Sequence, residues 1–288
     1  MMKTWIGIVT FFALFVPVFA GAQGINTNVA LAVAEDEAIF RSQVRYRRAT
    51  DDPTGMDREV EALVLPQTLV YGVTPRWTAF VTLPVLALRK IELGDGRVNK
   101  DSAVGDLRLL ARYTLLADDP APLSTRRLAL LAGMKFPTGA RRFGSPSFDP
   151  ILGLVGTWAA NRHEVDLDAL YTITTERNDV EVGDQFAYDA AYRYRIWPAR
   201  FGRRLLQFNG VLEMNGRWAA KTRIDGRTVA ASGGSVLELS PGAQFITGRF
   251  IVEVSVQIPV WQDPNGSQIE EDFTGVLSMR IPFDVGLR

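Results

Sequence analysis

The sequence predicts an all-β chain folded as a transmembrane antiparallel up-and-down β-barrel of about twelve strands. Three observations carry this. Beyond residue 36, two-faced alternating segments follow one another with turn chemistry between them and almost nothing that reads as helix. The connections alternate strictly between long and short. The segments run to roughly 11 to 15 residues, longer than the ~5 to 6 usual in globular sheets and suited to a tilted crossing of ~9 to 11 residues with short extensions.

The N-terminus comes first. Met1 to Lys3 is a short basic start, Trp5 to Val18 is almost wholly apolar, and "VFAGAQ" offers small residues for cleavage after Ala20 or Ala22. Residues 1–22 therefore read as a secretory signal peptide and 23–288 as a single barrel domain. The apolar run is too short for a spanning helix and contains Pro17.

Twelve segments follow, at about 37–49, 59–72, 76–90, 105–117, 126–137, 148–160, 163–175, 184–197, 203–217, 234–246, 249–262 and 272–284. The first sets Phe40, Val44 and Tyr46 against Arg41, Gln43, Arg45 and Arg47. The fourth sets Leu107, Leu109, Ala111, Tyr113 and Leu115 against Asp106, Arg108, Leu110, Arg112 and Thr114. The eighth alternates Phe186, Tyr188, Ala190, Tyr192 and Tyr194 with Asp189, Arg193 and Arg195, and the eleventh alternates Val252, Val254, Val256 and Ile258 with Glu253, Ser255 and Gln257. The third and sixth, "WTAFVTLPVLAL" and "PILGLVGTWAA", are apolar on both faces and depart from the pattern.

The connections decide where the apolar faces point. Those at 50–58, 91–104, 138–147, 176–183, 218–233 and 263–271 are long and polar, whereas "TPR", "NR" and "TG" are short, with somewhat longer turns near 118–125 and 198–202. A soluble sandwich has no reason to alternate in this way; a barrel with external loops at one end and periplasmic turns at the other does. The apolar faces then meet lipid. Trp77, Trp158, Tyr171, Trp197, Trp218 and Phe283 fall near strand ends, where an interfacial girdle needs aromatics. The opposite faces line a lumen with Arg41, Arg45, Arg47, Asp106, Arg108, Arg112, Lys135, Glu164, Asp166, Asp168, Arg193, Arg195, Glu253 and Arg280, joined by Arg127, Asp189, Glu213 and Glu238. Centring the connection between the seventh and eighth segments near residue 179 sets Glu164 opposite Arg195 and Asp166 opposite Arg193.

Composition excludes several functions. The 288 residues carry 32 basic and 32 acidic side chains, scattered singly, so no nucleic-acid partner is indicated. No cysteine is present, which removes disulfides and thiolate metal sites. His163 is the single histidine, and its place beside "ANRH" puts it at the periplasmic end, away from the external mouth where a barrel hydrolase or protease would work. Glu164, Asp166 and Asp168 stand too far apart along one strand to converge on a metal, "DPNGSQIEED" lacks a glycine where a calcium loop needs one, and "ASGGS" lacks the helix of a phosphate cradle. It reads as a flexible external loop. No catalysis, cofactor or metal is expected.

"AVGDLRLLARYTL" at 103–115, "LLAGMKFPTG" at 130–139 and the closing "VWQDPNGSQIEEDFTGVLSMRIPF" resemble the outer-membrane family of the MetA pathway of phenol degradation, whose members are usually labelled transporters. The matching features are Gly105 and Asp106 opening a strand, then Gly133, Lys135, Pro137, Thr138 and Gly139 closing another. The resemblance implies a transporter-like barrel in the Gram-negative outer membrane, with uptake of small hydrophobic or aromatic compounds. Outer-membrane lipid, small-molecule solutes and the barrel assembly machinery are the implied partners. One departure is that the chain runs past Phe283 to "DVGLR" instead of finishing on an aromatic residue.

The expected function is passive, porin-like movement of small solutes through a mixed-charge lumen of weak charge selectivity. The alternative is a barrel filled by its own side chains, acting as a structural or surface-exposed protein, because twelve strands leave a modest interior. An outer-membrane enzyme or a soluble β-sandwich fits the pattern less well.

Overall fold

The computed structural model describes residues 24–140, 143–199 and 206–286. The signal peptide expected at 1–22 lies outside them. No helix occurs among the described residues, and sixteen strands do. They are β1 (Glu37–Ala49), β2 (Glu59–Gly72), β3 (Trp77–Glu92), β4 (Val98–Val104), β5 (Leu107–Ala121), β6 (Ser124–Phe136), β7 (Asp149–Ala160), β8 (His163–Thr172), β9 (Val180–Glu181), β10 (Gln185–Trp197), β11 (Gln207–Ala219), β12 (Arg223–Ile224), β13 (Arg227–Thr228), β14 (Gly234–Ile246), β15 (Ile251–Pro264) and β16 (Phe273–Asp284).

Twelve of these close a ring in the order β1-β2-β3-β5-β6-β7-β8-β10-β11-β14-β15-β16, each antiparallel to its neighbours, with β16 returning to β1. Closure runs from Glu37↔Asp284 to Arg48↔Phe273, so no strand edge of the ring is left open. The four remaining strands are short. β4 pairs with the upper part of β3, and β9, β12 and β13 form a separate three-stranded sheet. Residues 218–233, expected as a long polar connection, are thus partly paired, and Gly234 and Ser235 of "ASGGS", expected as a flexible loop, already belong to β14.

The two ends differ. One carries the short turns at 73–76, 122–123, 161–162 and 247–250, the ends of the ring at Glu37 and Asp284, and the junction from β10 to β11, where most of the turn expected at 198–202 and the strand start expected at 203 lie outside the described residues; we call it the turn end. The other carries the long connections and is the loop end. The β5–β6 turn is tighter than the sequence suggested, because pairing continues to Ala121↔Ser124.

The alternation sorts side chains as lipid would demand. Leu109, Leu115, Leu130, Leu154, Leu167, Leu212, Val254 and Leu277 are exposed on the outer face. So extensive an apolar band would be untenable in water, and it is the belt of a membrane barrel. Trp77, Trp158, Trp197 and Phe283 ring its turn end, and Tyr171, Trp218 and Trp261 its loop end, all facing outward.

One register differs from the sequence expectation. Glu164 lies opposite Arg193, and Asp166 opposite Ala191. The cause is local: Asn178 and Asp179 both take positive φ, at 55° and 60°, and Arg177 pairs with Val180, so a type I′-like turn centres the connection between 178 and 179. Placing that centre one residue later slides the partner by two.

Candidate functional site: a lumen crossed by residues 24–34

The interior of the ring is not open. Residues 24–30 are buried, and Ile25, Thr27, Val29 and Ala30 are wholly so, although they belong to no strand. This segment lies across the lumen at the height of Glu213 and Asp168, then descends to the turn end, where the Asp36 amide donates to Gly72 O at 3.0 Å.

An extended peptide without ladder partners must have its amides and carbonyls satisfied elsewhere. Inward side chains do this. Glu213 of β11 accepts from the amides of Ile25, Asn26 and Thr27 at 3.0 to 3.2 Å and from Asn26 Nδ2 at 2.6 Å. Asp168 of β8 accepts from Asn28 N at 2.6 Å, and Thr157 of β7 from Ala30 N at 2.9 Å. In the other direction Arg280 of β16 donates to Gly24 O, Arg41 of β1 to Ile25 O, and Arg112 of β5 to Val29 O and Leu31 O. Most of these bonds address the backbone of the segment. Two wall glycines make room for it: a Cβ on Gly72 would lie 1.9 Å from Ala34 O, and one on Gly242 would lie 2.7 Å from Ile25 Cδ1.

The inward residues singled out from the sequence fall into separate groups. Arg41 and Arg280 share Glu253, with Arg280 Nη2 to Glu253 Oε1 at 2.9 Å. Arg45 donates to Gln257 and to Asn26 Oδ1. Arg193 is paired with Glu164, and Asp166 accepts from Thr157 Oγ1 at 2.6 Å. Arg195 donates to Asn161 O at the turn end. At the loop end Arg47 and Arg217 both meet Glu271. Burial pushes the Glu271 carboxyl up, but the two guanidinium groups outweigh it and hold the group below its ordinary range.

Lys135 sits between Asp106 (3.4 Å) and Asp149 (2.5 Å), while Asp106 accepts from the amides of Gly139 and Ser145 at 2.9 Å. Thr138 Oγ1 accepts from Leu107 N at 2.9 Å. The Gly105-Asp106 and Lys135-x-Pro137-Thr138-Gly139 motifs are therefore one knot, which folds residues 137–140 and 143–148 onto the rim. Arg108 stands half-buried in register with Lys135. His163 is exposed and outward, with Nδ1 at 2.6 Å from Tyr192 OH.

The wall is also asymmetric. Val70, Phe80, Leu131, Ile151, Val155 and Leu170, from β2, β3, β6, β7 and β8, point inward and cluster with Ala30 and Val33 of the crossing segment. This apolar side was visible in the two segments that are apolar on both faces, "WTAFVTLPVLAL" and "PILGLVGTWAA", though they read as exceptions. The crossing segment itself was missed. Its signal is modest: from Ala20 to Ala34 no residue is charged, which suits a buried path.

Two cavities lie toward the two ends of the ring, the larger one against the segment. One of about 140 Å³ lies at the loop end beside Arg47, Arg217, Gln262 and Glu271. The other, of about 650 Å³, lies at the turn end between Leu31, Glu164, Arg193, Arg195 and Gln244.

A family described as "Putative MetA-pathway of phenol degradation" matches residues 53–262, most of the ring. The chain belongs to this family. Among solved structures, the COG4313 outer membrane channel from Pseudomonas putida F1 is 17% identical with a TM-score of 0.71, over 88% of this chain and 98% of that one. The beta domain of the Bordetella autotransporter BrkA is 12% identical with a TM-score of 0.51, over 86% of this chain and 100% of that one. At such identities the likeness is one of fold, that of the outer-membrane β-barrel. No curated protein matches the chain. The phenol-degradation family match includes the Asp106–Lys135–Asp149 knot and the apolar side of the lumen, but begins after the crossing segment.

Proposed function

We propose that the protein is a passive conduit for small solutes in the Gram-negative outer membrane, exported by its signal peptide, and closed in this state by residues 24–34. The observation that carries the reading is that residues 24–34 cross the lumen without pairing with any strand, held by side-chain hydrogen bonds and apolar contacts, with a cavity of about 650 Å³ against them on the turn-end side. Such a barrier is removable without breaking the wall. The loop end then faces outside and the turn end the periplasm. Membership of the family, together with the fold shared with the outer membrane channel of Pseudomonas putida F1, supports transport at this coarse level. The apolar inward side supports solutes with a hydrophobic or aromatic part, since a uniformly charged lining would repel them. No chemical step is assigned to any residue.

The test is a planar-bilayer recording of the intact protein and of a variant lacking residues 25–31. The intact barrel is expected to show small or infrequent conductance, and the deletion a larger, persistent one. A deletion barrel that stays silent while retaining heat-modifiable gel mobility would favour a structural role, which the dense ion pairing of the interior otherwise supports.

A further inference from the structure

The apolar side of the lumen contains a guanidinium unlike those held in the ion pairs of the lumen. Arg41 and Arg280 meet Glu253, Arg193 meets Glu164, and Arg217 meets Glu238 and Glu271. Arg112, 1% exposed, has no carboxylate within ion-pair distance among the described residues. Its partners are Val29 O at 2.5 Å, Leu31 O, and Thr78 Oγ1 at 3.3 Å. Its Nε has no partner, and its Cζ lies 5.2 Å from the centre of the Phe80 ring. A buried cation is ordinarily matched by an anion, because desolvation is offset only by a full opposite charge or by several strong hydrogen bonds. Here two peptide dipoles stand in. A carboxylate offers the same two oxygens in the bidentate geometry that a guanidinium fits, together with the opposite formal charge that the peptide dipoles lack.

The surroundings extend the comparison. Ala30, between the two carbonyl acceptors, and Val33, two residues beyond them, pack into the cluster of Val70, Phe80, Leu131, Ile151, Val155 and Leu170. Residues 29–33 thus present two oxygens to a guanidinium and a small hydrocarbon body to an apolar wall, which is the outline of an amphipathic carboxylate. Leu31 borders the 650 Å³ cavity, so the site adjoins free volume.

We propose that Arg112 and the apolar side of the lumen form a binding site for an amphipathic monocarboxylate, aryl or short alkyl, and that such a ligand binds by displacing residues 29–33. This rests on the conduit reading and narrows it to a solute class and a means of opening.

The absence of cysteine provides a clean probe. Ala30→Cys in the full chain, buried where the segment packs on the apolar wall, should react slowly with a maleimide. Sodium benzoate is expected to raise the labelling rate about tenfold, whereas benzyl alcohol and sodium chloride at matched concentration leave it unchanged. Adding Arg112→Gln should raise the basal rate and abolish the benzoate response. Equal acceleration by benzoate and benzyl alcohol, no acceleration by either, or a benzoate response that survives Arg112→Gln would each overturn the proposal. The first two outcomes need only the Ala30→Cys background, so a misfolded Arg112 variant does not shield it. The deletion recording separates the two readings: a conducting deletion barrel with no benzoate effect on Ala30→Cys removes the site and keeps the conduit, and a benzoate effect on Ala30→Cys in the full chain alongside a silent deletion barrel does the reverse.

Discussion

Glu213 is the residue on which the closed lumen most depends, since one carboxylate serves three consecutive amides and a side-chain amide. Each buried donor left unsatisfied costs about 1 to 3 kcal/mol. Glu213→Ala is therefore expected to speed hydrogen exchange at Ile25, Asn26 and Thr27 by at least about tenfold, with the strands of the ring unaffected; unchanged exchange would show that Glu213 does not hold the segment. A second carboxylate acts outside the membrane. Asp52 accepts from Arg58 Nε and Nη2 at 2.8 and 2.7 Å and from Thr54, and the Arg58 guanidinium holds its carboxyl well below the usual range. A depressed folded value means that the stabilisation is complete above the unfolded pKa and is lost only as pH falls through the folded one. The connection 50–58 should therefore resist protease at pH 4, where an ordinary Asp is partly protonated, and Asp52→Asn should yield at neutral pH.

At the scale of elements, wall and crossing segment are fitted at Gly72. A valine there would push its side chain into the Val33 and Ala34 carbonyls, so Gly72→Val should lift the segment from the turn end. Labelling of Ala30→Cys would then rise while heat-modifiable mobility is kept; unaltered labelling would place the closure elsewhere. The outer face has its own test. Leu154 lies mid-strand on β7, exposed outward, and Leu154→Arg should cost about 2 to 4 kcal/mol in reversible unfolding from phospholipid. The same change in a soluble protein's exposed leucine would be nearly neutral. The twelve ring strands were legible because each repeats the same two-residue alternation over its length. β4, β9, β12 and β13 were not, because strands of two to seven residues in polar connections carry too few positions to show a period.

At the scale of the whole molecule, the wall closes through strand pairing that does not involve residues 24–34, so the deletion barrel should remain folded. It should still melt at a lower temperature than the intact protein, since the segment fills apolar and polar contacts on both sides of the lumen. The asymmetry of that lumen is a property of the ring and not of any strand. Arg41, Glu253 and Arg280 come together from the first strand and the last two, while Phe80, Val155 and Leu170 come together from β3, β7 and β8.

The sequence by itself determined the all-β class, the twelve-fold alternation, the closed topology with unlike ends, and which faces of the strands turn inward. Each of these follows from a period of two and from turn chemistry, which are local. Tertiary structure alone decided the occupant of the lumen. An uncharged stretch ahead of the first strand has no period, and its amides find Glu213, Asp168 and Thr157 only after β7, β8 and β11 have been drawn into one wall. The same holds for Arg112: its lack of a carboxylate depends on what the closed ring places opposite it, and no run of residues in the chain records that.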